Sequence, residues 1–488
     1  MSPSETNSSP AWELLLPAAA APARARGRSL QAALREAVRS GRLTPGTRLP
    51  SSRDLAGDLG VSRGLITEAY EQLTAEGYLR SGRGAGTWVG DAVRAARPPA
   101  RDLAPRTPGI RADFVPGTPD LALFPRAAWG AAQRAALAEL PHDGLGYPDP
   151  RGLPRLRTAL AGLLARRRGV VADPERIVVV SGVAQASALL GSVLHARGAR
   201  TIGVEDPGSP QHDRLYAAAG VATVPVPLDG EGIAMEPLRA SGTRAVVTTP
   251  SHQFPTGIAY SARRRAELLA WARDVDGLVL EDDYDGDFRY DRAPVGALQG
   301  LDPERVAYAG SVSKSLAPGL RLGWLLVPEW LAEETVERKR TLDLGHPALD
   351  QELFARFVER GDYDRQLRRC QRAYRERRDA LVAALADRFP GARVSGIAAG
   401  LHVIAGLPLR DGSEEGFLAR VRGAGVAVRT LAEYANHGAH HHAEACPEPG
   451  EGPSGDASGT VRLVLGYAHL TPARIRAGVR LMAEAARG

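Results

Sequence analysis

Lysine is almost missing from this chain. Of 62 basic Lys and Arg residues in 488, only Lys314 and Lys339 are lysine. Cysteine is as scarce: Cys370 and Cys446 alone cannot build a disulfide framework, which points to a reducing compartment. No apolar run reaches the roughly 18 residues that suggest a membrane span. The Leu14-Leu15-Leu16 cluster is broken by Pro17 and Pro22 and has no basic residue before it, so it makes a poor signal peptide. A cytoplasmic protein with no membrane partner is expected. At 44% apolar and 24% charged, the composition excludes collagen-like, coiled-coil and wholly disordered readings. Arginine does nearly everything a surface lysine does, so the two lysines stand out.

The chain falls into pieces. Residues 1–23 are rich in Ser, Pro and Ala, and a compact helical pattern follows. The boundaries read from the pattern are a first domain over residues 24–90, a linker over 91–113 and a large domain over 114–488. The linker has five Arg, four Pro and no periodicity. In the large domain, short apolar runs alternate with helical patterns. Strands are expected at Ile177–Val180 and near residues 201–204, 245–249, 278–281, 306–309 and 322–327. That alternation predicts an α/β domain with a largely parallel sheet. Residues 435–459 form an insertion rich in His, Gly and Pro.

Residues 24–83 hold eleven Arg against six acidic residues, a net +5 within a chain whose total is +6. Such a concentration suits a polyanion. A short helix is expected over residues 52–59, with a tight turn at Gly60-Val61. Ser62 stands where a second helix would be capped. Leu65, Ile66, Ala69, Tyr70 and Leu73 share that helix's inner face. Two short helices about a Gly turn read as helix-turn-helix, and residues 78–89, with three Gly, read as a hairpin wing with Tyr78 and Trp88 in its core. The second helix would present Arg63, Gly64 and Thr67 to base edges, and Arg suits guanine. Ser62 and the helix start suit a phosphate. Arg48 and Arg53 flank the first helix, and Arg83-Gly84 marks the wing tip. A helical dimerisation module with a solvated Arg face fits the same charge and periodicity.

The run GRLTPGTRLPSSRDLAGDLGVSRGLITEAYEQLTAEGYLRSGRGAGTWV resembles the winged-helix domain of the GntR regulators. The resemblance implies that Arg53, Ser62, Arg63, Gly64, Thr67 and the Arg83-Gly84 wing lie at double-stranded DNA. Gly64 departs from a hydroxyl residue common there.

In the large domain, VAYAGSVSKSLAPGLRLGW places Lys314 just after a strand among small polar residues. A lysine amine can form a Schiff base, which Arg cannot. Ser311, Ser313 and Arg321 would suit a phosphate beside it. A lone surface Lys in a Ser-rich turn is the plainer reading. Lys339, in ERKR, is expected to be solvated. The turn at Ser181-Gly182-Val183-Ala184 offers backbone N–H groups at a helix start. Asp282-Asp283-Tyr284-Asp285 closes a strand at the end where open α/β sheets bind ligands. One carboxylate there could pair with a pyridine nitrogen; a metal site or a polar loop are the alternatives. Together, a lysine, a carboxylate, a phenol and a phosphate cradle compose a site for pyridoxal 5'-phosphate.

With YPDPRG, SGVAQ, EDPGS, TPSHQFPTG, EDDYDGDFRY, SVSK and RLVLGYAHL in order, residues 114–488 resemble a fold-type I aminotransferase. The resemblance implies that Lys314 carries the cofactor's aldehyde, Asp282 pairs with the ring nitrogen and Tyr284 touches the ring hydroxyl. Ser311, Arg321 and the Val183 and Ala184 N–H groups would hold the phosphate. Tyr147 would reach the phosphate of a neighbouring subunit in a homodimer. Arg462 is the candidate for an effector's carboxylate. Ser209 replaces an aromatic that commonly stacks on the ring, and Phe254 replaces an Asn, with Gln253 or His252 available to compensate. His437, His440, His441, His442, Glu444 and Cys446 are read as an adventitious tract rather than a metal site.

A winged helix joined to an aminotransferase-like domain resembles the MocR-type regulators. That implies a transcriptional regulator sensing an amino acid or amine, or the cofactor itself, by exchange at Lys314. The rivals are a working aminotransferase with an accessory DNA-binding domain, and a DNA-binding protein whose large domain is only a dimerisation scaffold.

Overall fold

The computed structural model describes residues 15–82, 86–91, 109–290, 295–396, 399–409, 413–435 and 459–487. It divides into two compact units, Met1–Pro108 and Gly109–Gly488. The wing tip Arg83-Gly84 and the His-rich tract from His437 to Cys446 lie outside the described residues.

In the first unit, α1 (Arg26–Arg39), α2 (Ser52–Leu59) and α3 (Arg63–Ala75) surround a core of Leu30, Leu34, Leu55, Ile66, Ala69 and Leu73. Ser51 caps α2 by accepting from Asp54 N at 3.2 Å. Gly60 ends it in the left-handed conformation, φ 63°. Ser62 Oγ then accepts from Leu65 N at 3.3 Å and starts α3. The turn is thus set by a left-handed residue and two hydroxyl caps. Strands β1 (Arg48–Leu49), β2 (Leu79–Gly82) and β3 (Gly86–Val89) make an antiparallel sheet in the order β1-β3-β2. This is a winged helix-turn-helix. Leu65 is only half-buried, at the edge of the face expected for it.

The second unit is built on an eight-stranded sheet. In chain order its strands are β4 (Ile177–Val180), β5 (Thr201–Asp206), β6 (Ala222–Asp229), β7 (Gly232–Ile233), β8 (Ala245–Thr248), β9 (Leu278–Asp282), β10 (Val306–Ser311) and β11 (Gly323–Leu326). The spatial order is β4-β11-β10-β9-β8-β5-β6-β7. The central pairs are parallel, whereas β11 runs against both neighbours and β7 against β6. Strands such as β4, with every residue buried, show continuous apolar runs because both faces are covered. Helix α4 (Val183–Ala196) covers one face, together with α5 (Glu329–Asp343). A smaller antiparallel sheet combines β12 (Arg393–Ser395), β13 (His402–Pro408), β14 (Arg429–Thr430) and β15 (Thr460–Gly466) in the order β12-β13-β15-β14. Among the described residues, no helix is long and apolar enough to cross a membrane.

Lys339 is not solvated. Its side chain is fully buried, with Nζ 2.7 and 2.9 Å from the Asp343 carboxylate one turn on. Leu331, Thr335 and Lys339 recur every fourth residue along the buried side of α5. The charged neighbours in ERKR, Glu337, Arg338 and Arg340, are exposed on the other side of the helix.

Candidate functional site

A cavity of about 470 Å³ opens at the C-terminal ends of the central parallel strands, where an open α/β sheet gathers its ligands. Lys314, Asp282, Tyr284, Ser311, Ser313, Arg321, Val183 and Ala184, assigned to one cofactor from sequence, all line it.

The floor comes from β9 and β10. Asp282 ends β9 opposite Ala309, and Lys314 follows three residues after the end of β10. Strand alternation sorts the acidic cluster. Asp283 turns away, accepting from Arg168 Nε at 2.6 Å and Tyr308 Oη at 2.5 Å. Asp285 is buried against His252, 2.9 Å from Nδ1. Of these three only Asp282 lines the cavity, and its Oδ1 is buried without a hydrogen-bond partner among the described residues. Burial and the neighbouring charges of Asp283, Glu205 and Asp285 push its carboxyl up to about 8, against the pull of Lys314. A buried acceptor lacking a donor is the environment a ring N–H would complete.

Lys314 is half-buried and donates to the Gly117 carbonyl at 2.5 Å. Burial lowers its pKa, against the opposing charges of Asp285 and Asp282. A larger fraction is therefore the nucleophilic neutral amine.

The start of α4 also lines the cavity. Its cap, Gly182, has φ 104°, and a Cβ there would lie 3.4 Å from the Arg321 guanidinium. The N–H groups of Val183 and Ala184 belong to the first helical turn, which has no intrahelical acceptors for them. Gly323, at the head of β11, lets this turn approach the sheet: a Cβ there would stand 2.8 Å from Gly182 Cα. The turn is also tied from behind. Ser181 N donates to Gln185 Oε1, Gln185 Nε2 donates to Asp343 Oδ2, and Asp343 accepts from the buried Lys339. The orphaned carboxylate, the primary amine and the N–H cradle with its guanidinium fit pyridoxal 5'-phosphate.

The remaining wall is aromatic. Phe254 sits edge-on to Tyr284, His402 and Tyr434, with centroids 5.9, 5.3 and 5.2 Å away. Ser209 also lines the cavity. Gln253 does not compensate for Phe254, because its amide is bonded to Glu205, Pro207 and Phe254 backbone or side-chain oxygens. His252 does reach the site, 3.0 Å from the Tyr284 hydroxyl. His252, Asp285 and His402 bring potential ligand atoms within 4.8 Å of one another, and His402 Nε2 donates to the Pro255 carbonyl at 2.9 Å.

Two assigned residues are not in the lining of this protomer's cavity. Tyr147 is 88% exposed and lines no part of this cavity. Arg462 is absent from the lining as well. It pairs with Gly406, four residues along β13 from the cavity residue His402, about 13 Å away. The strand arginine at the cavity is Arg429, which stands opposite Val464 in β14 and donates to Glu433 at 2.9 Å. Nothing in its local pattern marked Arg429, because its position depends on which strand pairs with β15.

In the first unit, Arg48, Arg53, Ser62, Arg63 and Gly64 are exposed and Thr67 is half-buried. Thr67 Oγ1 donates back to the Arg63 carbonyl at 3.0 Å. Trp88 is half-buried beneath the guanidinium groups of Arg48 and Arg80, 5.8 and 5.9 Å from its ring. Tyr78 is likewise half-buried and carries Arg39 over its ring.

The two units therefore define a winged-helix DNA-binding domain and an aminotransferase-fold domain on one chain. Residues 27–89 match the bacterial regulatory proteins of the gntR family, and residues 117–435 match aminotransferase class I and II. The chain is 34% identical over 404 residues to the HTH-type pyridoxine biosynthesis transcriptional regulator PdxR of Corynebacterium glutamicum, covering 82% of this chain and 87% of that one. It is 35% identical over 378 residues to the probable rhizopine catabolism regulatory protein MocR of Rhizobium meliloti, covering 73% and 76%. Among solved structures, the multiple substrate aminotransferase of Thermococcus profundus superposes with a TM-score of 0.66 at 26% identity, covering 78% of this chain and 92% of that one. The α-aminoadipate aminotransferase LysN of Thermus thermophilus, complexed with N-(5'-phosphopyridoxyl)-L-leucine, gives 0.64 at 26%, covering 78% and 93%. The chain belongs to the MocR-type group of GntR transcriptional regulators, with an aminotransferase domain whose cofactor is pyridoxal 5'-phosphate.

Proposed function

We propose that the large unit reads an amino compound, or the cofactor itself, and that occupancy of its cavity changes how a homodimer meets its operator. The observation that carries this is one cavity holding the Lys314 amine, the unpartnered Asp282 oxygen and the Gly182–Arg321 cradle. Bound there, pyridoxal 5'-phosphate supplies an aldehyde that amines compete for. Lys314, low in pKa, holds the aldehyde and can be displaced. Asp282 supplies a carboxylate to the ring nitrogen. Ser311, Ser313, Arg321 and the α4 start hold the phosphate. Arg429 replaces Arg462 as the candidate for an effector's carboxylate.

A signal requires that the ligand bind two arrangements of the dimer with different affinity. Tyr147, exposed in one protomer, is proposed to reach the partner's cofactor. Arg63 and Gly64, with Thr67 behind them, are proposed to meet base edges; Arg48, Arg53 and Ser62 would meet the backbone. Phe254 and Ser209 favour sensing over efficient transamination, because one contributes no hydrogen bond and the other no stacking surface.

The test is a spectral titration of the purified protein with amino acids and amines, run beside binding to its own upstream DNA. Lys314→Ala is expected to abolish the visible cofactor band and the ligand response. Retention of both would sink the proposal, and rapid multiple turnovers with an amino donor and a keto acid would favour the enzyme reading.

A further inference from the structure

The same sheet carries a second, larger cavity at its opposite end. It has a volume of about 770 Å³ and lies at the N-terminal ends of the parallel strands. Neither the cofactor nor the DNA reading uses it. Its base is a row of arginines. Arg200 immediately precedes β5, Arg244 precedes β8 and Arg305 precedes β10. These strands lie in the order β10-β9-β8-β5, so their starts share one edge over three strand spacings, about 14 Å. Arg197 joins them from the C-terminal cap of α4. Trp330, 38% exposed near the start of α5, stands beside it, with the Arg197 guanidinium 5.0 Å from its ring.

The guanidinium groups outnumber their acids. Two carboxylates line the cavity, Asp276 and Glu304. Glu304 is engaged by Arg176, outside the lining, at 3.0 Å. Asp276 is the internal counter-ion. It accepts from Arg305 Nη1 at 2.5 Å, and Arg244 Nη2 lies 3.6 Å away. The Arg305 hydrogen bond and charge, then the charges of Arg244 and Arg197, lower its pKa against desolvation. Arg197 is taken by Glu334, also outside the lining. Arg200 donates to His195 Nδ1 at 3.1 Å and forms no ion pair among the described residues. One carboxylate therefore answers the three guanidinium groups of the row, whose planar forks match phosphate oxygens.

We infer that this cavity binds a phosphorylated small molecule through a di- or triphosphate group, which displaces Asp276 from Arg244 and Arg305 and engages Arg200. A single phosphate would leave part of the row unmatched. The volume falls in the range of small-molecule sites, and the arginines line a concavity, which favours a compact ligand over duplex DNA. The site is separate from the cofactor's: α4 begins at the phosphate cradle and reaches this cavity 14 residues later, about 21 Å away.

The full-length protein is first saturated with pyridoxal 5'-phosphate, so that the cradle at the α4 start is filled. It is then titrated calorimetrically with sodium triphosphate and, separately, with ATP, at fixed ionic strength. One site per chain is expected. Arg200→Ala breaks no ion pair and is expected to weaken binding about tenfold. Arg244→Ala combined with Arg305→Ala is expected to abolish it. Asp276→Asn removes the internal competitor and is expected to tighten binding about threefold, a gain that a merely structural ion pair would not give. Trp330→Ala separates the sources of the phosphate chain: a nucleotide ligand predicts weaker ATP binding alone, and a free polyphosphate predicts no change in either titration. Arg53→Ala and Arg63→Ala, in the winged helix, are expected to leave both titrations unchanged. Gel filtration and thermal melting check that each variant folds. Binding that is absent from the wild type, unmoved by Arg200→Ala, or lost with Arg53→Ala and Arg63→Ala instead, overturns the inference. So does a wild type that ignores triphosphate and ATP while Arg200→Ala loses affinity for nonspecific duplex DNA, which would make the row a nucleic-acid surface.

Discussion

Two lysines occupy opposite situations. Lys314 opens on a cavity with its pKa depressed; Lys339 is sealed beneath α5 against Asp343. Removing one partner of a buried pair is strongly destabilising. Because Asp343 keeps 29% exposure, water offsets part of that cost. Lys339→Met is expected to cost on the order of 2–3 kcal/mol, seen as a lower melting temperature of the large unit. A neutral result would mean that Asp343 is fully held by Gln185 and the Gly345 N–H. Asp282 gives a pH signature. Burial pushes its carboxyl up to about 8 in the folded protein, from the 3.8 of an ordinary aspartate, so between those values the native state holds a proton that the unfolded state lacks. Stability of the cofactor-free protein should therefore fall as pH rises through that window. Melting curves at about pH 5.5 and about pH 8 check it: Asp282→Asn should flatten the slope in part, since Glu281, raised to about 7, contributes in the same direction. At this scale the sequence was informative where chemistry singles out a residue type, as with Lys314. It was misleading where tertiary packing decides, as with Lys339.

Both working helices begin on a residue that sets their start. Helix α3 starts from the Ser62 hydroxyl, and α4 from Gly182 at φ 104°. An alanine at Gly182 would be strained in this conformation by about 1–2 kcal/mol and would crowd Arg321. Gly182→Ala should weaken cofactor binding by about tenfold, the factor 1.4 kcal/mol corresponds to, with Lys314 still reactive; fluorescence titration measures it. Each expected strand is present, because β-branched runs bounded by Gly and Pro are local signals. The direction of β11 was not legible. Its apolar run reads the same whichever way it lies, and only its pairing with β4 and β10 fixes it. Arg429 was not legible for a related reason: strand register, rather than composition, places it at the cavity.

At the scale of the whole chain, charge is unevenly shared. Residues 24–83 carry almost all of the net positive excess, on the unit whose exposed Arg53 and Arg63 flank the helix-turn-helix. Affinity for DNA should then fall steeply with salt, as phosphate contacts release counterions. Arg63→Ala is expected to lose about 1–3 kcal/mol of sequence discrimination while leaving the cofactor spectrum unchanged, checked by competition with nonspecific DNA. If specific binding survives, α3 is not the reading helix. The two-unit architecture was legible from motif order.

The burial of Lys339 has an analytical consequence. Free aldehydes ordinarily decorate many surface amines of a protein, which blurs any stoichiometry. Here Lys314 is the only lysine of the chain left open to such a reagent. Borohydride reduction of the loaded protein, followed by peptide mass mapping, should therefore yield a single modified lysine peptide, and its yield would count occupied sites directly.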